Sequence, residues 1–147
     1  MHISLNYLGD TDPNQIENQS SILTDIVGKY DSFMLGTLDS GIFPHANDPR
    51  VLWVGTSPYN DTLKHFKKDL NSALSQMGYE LDKRHFQPHI TLGRVKTISR
   101  QSKFIHEFLS AEVREITFQI DEMKWIKSTL TPVGASYEEI KTFKFNT

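Results

Sequence analysis

The 147-residue chain contains no cysteine. That excludes a disulfide framework, thiolate metal ligands and a cysteine nucleophile, and a chain without such constraints fits the cytoplasm. No apolar run reaches about 18 residues, so no membrane-spanning helix is expected. The start carries no basic segment followed by an apolar stretch, so it does not read as a secretion signal. Net charge is small, at −2. What is present is ample for folding: 37% hydrophobic and 11% aromatic residues can bury a core of useful size. The length suits one domain, spanning residues 1–147.

The small net charge hides an uneven distribution. Residues 1–40 hold six acids and one base. The stretch from Lys83 to Lys103 holds Lys83, Arg84, Arg94, Lys96, Arg100 and Lys103 with no acid. Such a stretch is either a solvated basic face or a site for phosphate.

Periodicity predicts a mixed order of strands and helices, hence an α+β class. His2–Leu8 alternates as a strand, with Ile3 and Leu5 inward. Asp12 is a candidate N-cap ahead of Pro13, with a helix to about Val27 closed by Gly28. Ser32–Leu38 reads as a strand and Gly41–Pro49 as a loop, because Gly, Pro, Asn and Asp cluster there. Val51–Gly55 reads as a central strand. Asn60 or Asp61 caps a helix to about Met77, with Leu63, Phe66, Leu70 and Leu74 on one face. Further strands are expected at Phe86–Val95, Glu115–Ile120, Met123–Ser128 and Tyr137–Phe145, with a helix at Arg100–Leu109 and a turn at Pro132-Val133-Gly134.

One internal repeat stands out. His2-Ile-Ser-Leu recurs as His89-Ile-Thr-Leu, 87 residues later. A strand points residues i and i+2 to one face. His2 and Ser4 therefore share a face, as do His89 and Thr91, while Ile3, Leu5, Ile90 and Leu92 are expected in the core. Two imidazoles can serve as acid and base in one displacement, and two hydroxyls can donate to phosphoryl oxygens. No metal is required; a zinc site on His2 and His89 would lack further ligands by spacing. His45, His65, His85 and His106 read as surface or loop histidines, and Trp53 and Trp125 as core. The second copy is preceded by a strand and a helix and the first by Met1 alone, so about 38 residues of a first half are expected to be missing, judged by the repeat.

Paired His-x-[Ser/Thr]-hydrophobic motifs resemble those of the 2H phosphoesterase superfamily. Further segments narrow the resemblance to the RNA 2′,3′-cyclic phosphodiesterase family, also called 2′-5′ RNA ligase or LigT-like: His2-Ile-Ser-Leu-Asn-Tyr-Leu-Gly-Asp, Gly41-Ile-Phe-Pro, Pro49-Arg-Val-Leu-Trp-Val-Gly, Arg84-His-Phe-Gln-Pro-His-Ile-Thr-Leu-Gly-Arg and Ser128-Thr-Leu-Thr-Pro-Val-Gly-Ala-Ser-Tyr. The resemblance implies a bilobal, pseudo-two-fold α+β fold with two antiparallel sheets flanking a cleft and helices outside, the first lobe truncated at its N-terminus. It implies hydrolysis of RNA or nucleotide 2′,3′-cyclic phosphates to 2′-phosphomonoesters without cofactor or metal, with reversible 2′-5′ ligation associated, and a monomer. By the same carry-over His2 is the general acid and His89 the general base, Ser4 and Thr91 bind the phosphoryl oxygens, Arg94 binds the phosphate, and Tyr7 stacks on the base. From the residues alone, a strand-end surface charge is the alternative reading of Arg94, and core packing that of Tyr7. Ser4 stands where the family more often has Thr. The rival readings are a non-catalytic RNA or nucleotide binder on the same fold and a 2H enzyme for another small cyclic phosphate.

Overall fold

The computed structural model describes residues 1–58, 61–96, 103–132 and 134–147. Asn60 and Arg100, used above as a candidate cap and as part of the basic stretch, lie outside the described residues, as does Val133 of the expected turn. The class is α+β: a four-stranded antiparallel sheet and a two-stranded antiparallel sheet accompany three helices among the described residues. Long-range contacts divide the chain into two compact units.

The second unit in chain order of its core is helical. Asp12 caps a single 3-10 turn, Pro13–Gln15, by accepting a hydrogen bond from the Asn14 N–H at 2.9 Å. That turn leads directly into α1, Ile16–Val27, which closes at Gly28. Helix α2 runs Thr62–Gln76. Its Leu63, Phe66, Leu70, Ala73 and Leu74 are all buried, the three-and-four spacing of one helix face. Gly78 follows with φ +92°, a left-handed conformation that glycine adopts without a Cβ penalty. The core is aromatic: Phe66 meets Tyr30 and Phe145 edge-on at 5.3 and 5.0 Å, and Phe145 meets Phe33 at 5.4 Å. Strands β5, Glu122–Thr131, and β6, Gly134–Lys144, form the two-stranded sheet of this unit, with Trp125 and Phe143 buried.

The other unit carries the four-stranded sheet. Strand β1 runs Phe33–His45 and β2 Asp48–Pro58, with β3 at His89–Arg94 and β4 at Thr117–Ile120, in the order β3-β2-β1-β4. Helix α3, Phe104–Ser110, follows β3. The expected loop at Gly41–Pro49 is a hairpin instead: β1 continues to His45, turns over Ala46-Asn47 and returns as β2. The turn-forming residues have other tasks. Gly41 pairs with Trp53 in register, and its missing side chain leaves room for the indole. Pro44 and Pro49 sit together at a register shift, where proline is tolerated within a sheet.

Two further expectations are corrected. His2–Leu8 is no full strand; only Ile3 bridges, antiparallel, to Ile90. Alternation records which side chains are apolar, not whether a neighbouring strand lies in register along the whole segment. The strand expected from Phe86 begins at His89, because Pro88 has no N–H to give and the preceding residue is held out of regular pairing. The Pro88 carbonyl instead accepts from the Thr56 N–H at 3.1 Å.

Candidate active site

His89 is the best-defined group of the site. It is half-buried at the start of β3. Its Nδ1 lies 2.7 Å from the Gln87 carbonyl oxygen. A carbonyl only accepts, so Nδ1 carries the hydrogen, and in the neutral ring Nε2 holds the lone pair. The imidazole rests against two aromatic rings, Phe43 at 5.0 Å edge-on and Trp53 at 5.8 Å. Phe43 and Trp53 themselves touch at 5.0 Å. Trp53 is buried, as expected, but it also floors the histidine, a role that spacing along the chain does not reveal. The register that brings it there is Trp53 opposite Thr91 and Gly55 opposite His89.

The two copies of the repeat meet through the Ile3–Ile90 bridge. These isoleucines are equivalent positions, 87 residues apart in the sequence. An antiparallel pair formed by equivalent residues is the local relation that a two-fold axis demands. The bridge brings together the segments that carry the two copies, His2 and Ser4 flanking Ile3 in sequence and His89 and Thr91 flanking Ile90. His2 and Ser4 are exposed, as is Thr91.

The remaining candidates fall out unevenly. Tyr7 is 87% exposed, so it is not core. Arg94 is exposed at the end of β3 and pairs with Val51 through the backbone. Leu92 is 53% exposed and so is not the inward residue that alternation predicts; β3 stands at the end of the strand order of its sheet. The basic stretch is weaker than its count. Arg84 donates from Nε and Nη2 to both carboxylate oxygens of Asp82, which raises the guanidinium pKa above its already high value. Lys83, Lys96 and Lys103 are exposed. His45, His65, His85 and His106 are exposed as well. Among the described residues no three His, Asp or Glu side chains cluster as a metal site would need, and no helix is long and apolar enough to cross a membrane.

A family model described as the 2′-5′ RNA ligase superfamily matches residues 1–131. The chain belongs to this superfamily. The superfamily membership extends to curated relatives over nearly the whole chain. A Methanocaldococcus jannaschii protein named RNA 2′,3′-cyclic phosphodiesterase is 32% identical over 144 residues, covering 96% of this chain and 78% of the relative. A Thermotoga maritima protein of the same name is 32% identical over 146 residues, covering 99% and 75%. Among solved structures, a Thermus thermophilus protein superposes with a TM-score of 0.78 at 18% identity, covering 98% of this chain and 77% of that one. E. coli LigT complexed with 3′-AMP gives 0.70 at 20%, covering 99% and 77%. Both share the 2H phosphoesterase fold seen here.

Proposed function

We propose that this 2′-5′ RNA ligase superfamily member hydrolyses RNA or nucleotide 2′,3′-cyclic phosphates to 2′-phosphomonoesters, with His2 as general acid and His89 as general base. The observation that carries the reading is the bridge between Ile3 and Ile90, which pairs the equivalent residues of the two His-x-[Ser/Thr] copies. The names of the curated relatives support the substrate class.

The chemistry follows from the site. Nε2 of His89, left with its lone pair by the Nδ1 bond to Gln87, takes a proton from water as its oxygen attacks phosphorus. The bond from phosphorus to the 3′ oxygen breaks, and His2 delivers a proton to that oxygen. The 2′ ester remains, and charge is conserved. Ser4 and Thr91 donate to the non-bridging oxygens, where negative charge builds in the transition state. Arg94 holds the phosphate and Tyr7 offers a face to the base. Replacing water by the 5′-hydroxyl of a second strand gives a 2′-5′ linkage through the same proton transfers, so ligation is the same step with a different nucleophile. The oxygens and nitrogens named suffice for both without a metal step.

The test is hydrolysis of a short RNA ending in a 2′,3′-cyclic phosphate, with chelator present and the product end identified. A 2′-phosphate product that falls by a factor of about 100 or more in His89→Ala is expected, the usual scale of a lost acid–base group. A 3′-phosphate product, or turnover indifferent to His89, refutes the assignment. Binding without turnover favours the non-catalytic reading.

A further inference from the structure

The sheet carries a carboxylate that the reaction above does not use. Thr37 pairs with Thr56 and Ser40 with Val54, so Leu38 and Asp39 together face the single residue Gly55. This is a bulge, which re-aims a side chain. It turns the Asp39 carboxylate over Gly55, and Gly55 is the register partner of His89. A Cβ built on Gly55 would overlap Asp39 Oδ1, with Trp53 Cζ3 at 3.2 Å and Asp39 Cγ at 3.4 Å. The glycine thus makes the room that the carboxylate fills. Asp39 belongs to β1, two strands from β3, but its carboxylate over Gly55 of β2 lies about one strand spacing, roughly 5 Å, from the backbone of His89. It is exposed, and it makes no hydrogen bond or ion pair with any described residue.

A bare anion beside a phosphate site repels the phosphate, so it must face another part of the substrate. On the reading proposed above, the terminal nucleotide leaves few choices. Its 2′ and 3′ oxygens are closed into the cyclic phosphate and its 5′ oxygen is esterified. Every remaining hydrogen-bond donor is on the base. We propose that Asp39 selects the base, accepting hydrogen bonds from the donor edge that the terminal nucleotide presents. Guanine fits best, because its N1–H and N2–H donate side by side to the two oxygens of a carboxylate, the bidentate geometry that makes such pairs strong. Uracil fits worst, with one N–H flanked by two carbonyls. This inference rests on the proposed substrate and deepens it.

The experiment compares kcat/KM for dinucleotides with a common 5′ nucleotide that end in guanosine, adenosine, cytidine or uridine 2′,3′-cyclic phosphate, so that the 5′ oxygen is esterified, in the wild type, Asp39→Asn and Gly55→Ala. The wild type is expected to favour guanosine over uridine by about tenfold or more, the scale of hydrogen bonds to a charged group. Asp39→Asn should cut that ratio at least fivefold. Gly55→Ala should cut it too, since the added methyl displaces the carboxylate without removing it. Three results overturn the proposal: no preference in the wild type, a ratio unmoved by either change, or an equal fall for all four substrates. Calorimetric binding of the guanosine-ended and uridine-ended dinucleotide cyclic phosphates to His89→Ala, with and without Asp39→Asn, is measured alongside. Should none of the cyclic phosphates be hydrolysed, the proposed reaction fails, and the binding ratio still decides Asp39 by the same criteria.

Discussion

Gly41→Ala tests how tightly the floor of the site is packed. Gly41 faces Trp53 across β1 and β2. A Cβ there would lie 2.5 Å from Trp53 Cε2, with Cζ2 and Cη2 nearer still. Carbon atoms prefer about 3.5–4.0 Å, and the nearest of these contacts is 2.0 Å, so the indole must withdraw by about 1.5 Å or more or the strands must part. Trp53 is 8% exposed and lies against Phe43 and His89, which leaves it no open side to swing into. Overpacking of this kind costs about 1–3 kcal/mol. Gly41 has no positive φ, so alanine suits the backbone and returns about 0.4–1 kcal/mol through the unfolded chain. The expected net loss is about 1–2 kcal/mol. At 2–4 °C per kcal/mol for a chain near this size, Tm should fall by about 2–8 °C. The displaced indole should also disturb His89, and a shift of about 1 Å can cost on the order of a hundredfold in rate. Thermal denaturation followed by circular dichroism gives the first number and the cyclic-phosphate assay the second. Trp53→Phe removes the overlapped ring, so in that background Gly41→Ala should be neutral or stabilising. A rise in Tm for Gly41→Ala alone, or an equal cost in both backgrounds, refutes the packing argument.

Two titrations follow in the other unit. Tyr30 donates to Asp69 at 2.7 Å, and its pKa is raised to about 12 by burial first and by the Asp69 hydrogen bond and charge next. The folded state therefore holds this proton more tightly than the unfolded chain, whose tyrosine titrates near 10. The stability it contributes is full below pH 10 and is lost as pH rises through 10 towards 12; in Tyr30→Phe, denaturant midpoints measured from pH 9 to 11.5 should fall less steeply than in the wild type. On β5 and β6, Glu122 accepts from Lys144 and Lys124, which holds its carboxyl below the usual range. That contribution is present above the ordinary carboxylate pKa and is lost as pH falls through the depressed one, so Glu122→Gln should flatten the acid side of a Tm-against-pH curve, and the difference should shrink in 1 M salt.

Much of this protein is written in short-range pattern. Helices α1 and α2 follow from apolar spacing, from Asp12 before Pro13, and from Gly28 and Gly78; caps and periods act over a few residues, so the chain shows them directly. The two His-x-[Ser/Thr] copies are equally visible, and they carry the resemblance to the family. The hairpin at 41–49 was hidden because its glycine and prolines serve packing and register rather than a loop.

What the chain could not show is non-local. The pairing of Ile3 with Ile90 spans 87 residues, and a slip of one residue would move both histidines to the opposite face. The rings of Phe43 and Trp53 reach His89 only through the pairing of three strands. The bulge that turns Asp39 over Gly55 exists only between paired strands. Composition and spacing therefore determined which groups this protein has for its chemistry. Strand register decided which of them face one another, because register depends on cross-strand packing that no single segment contains.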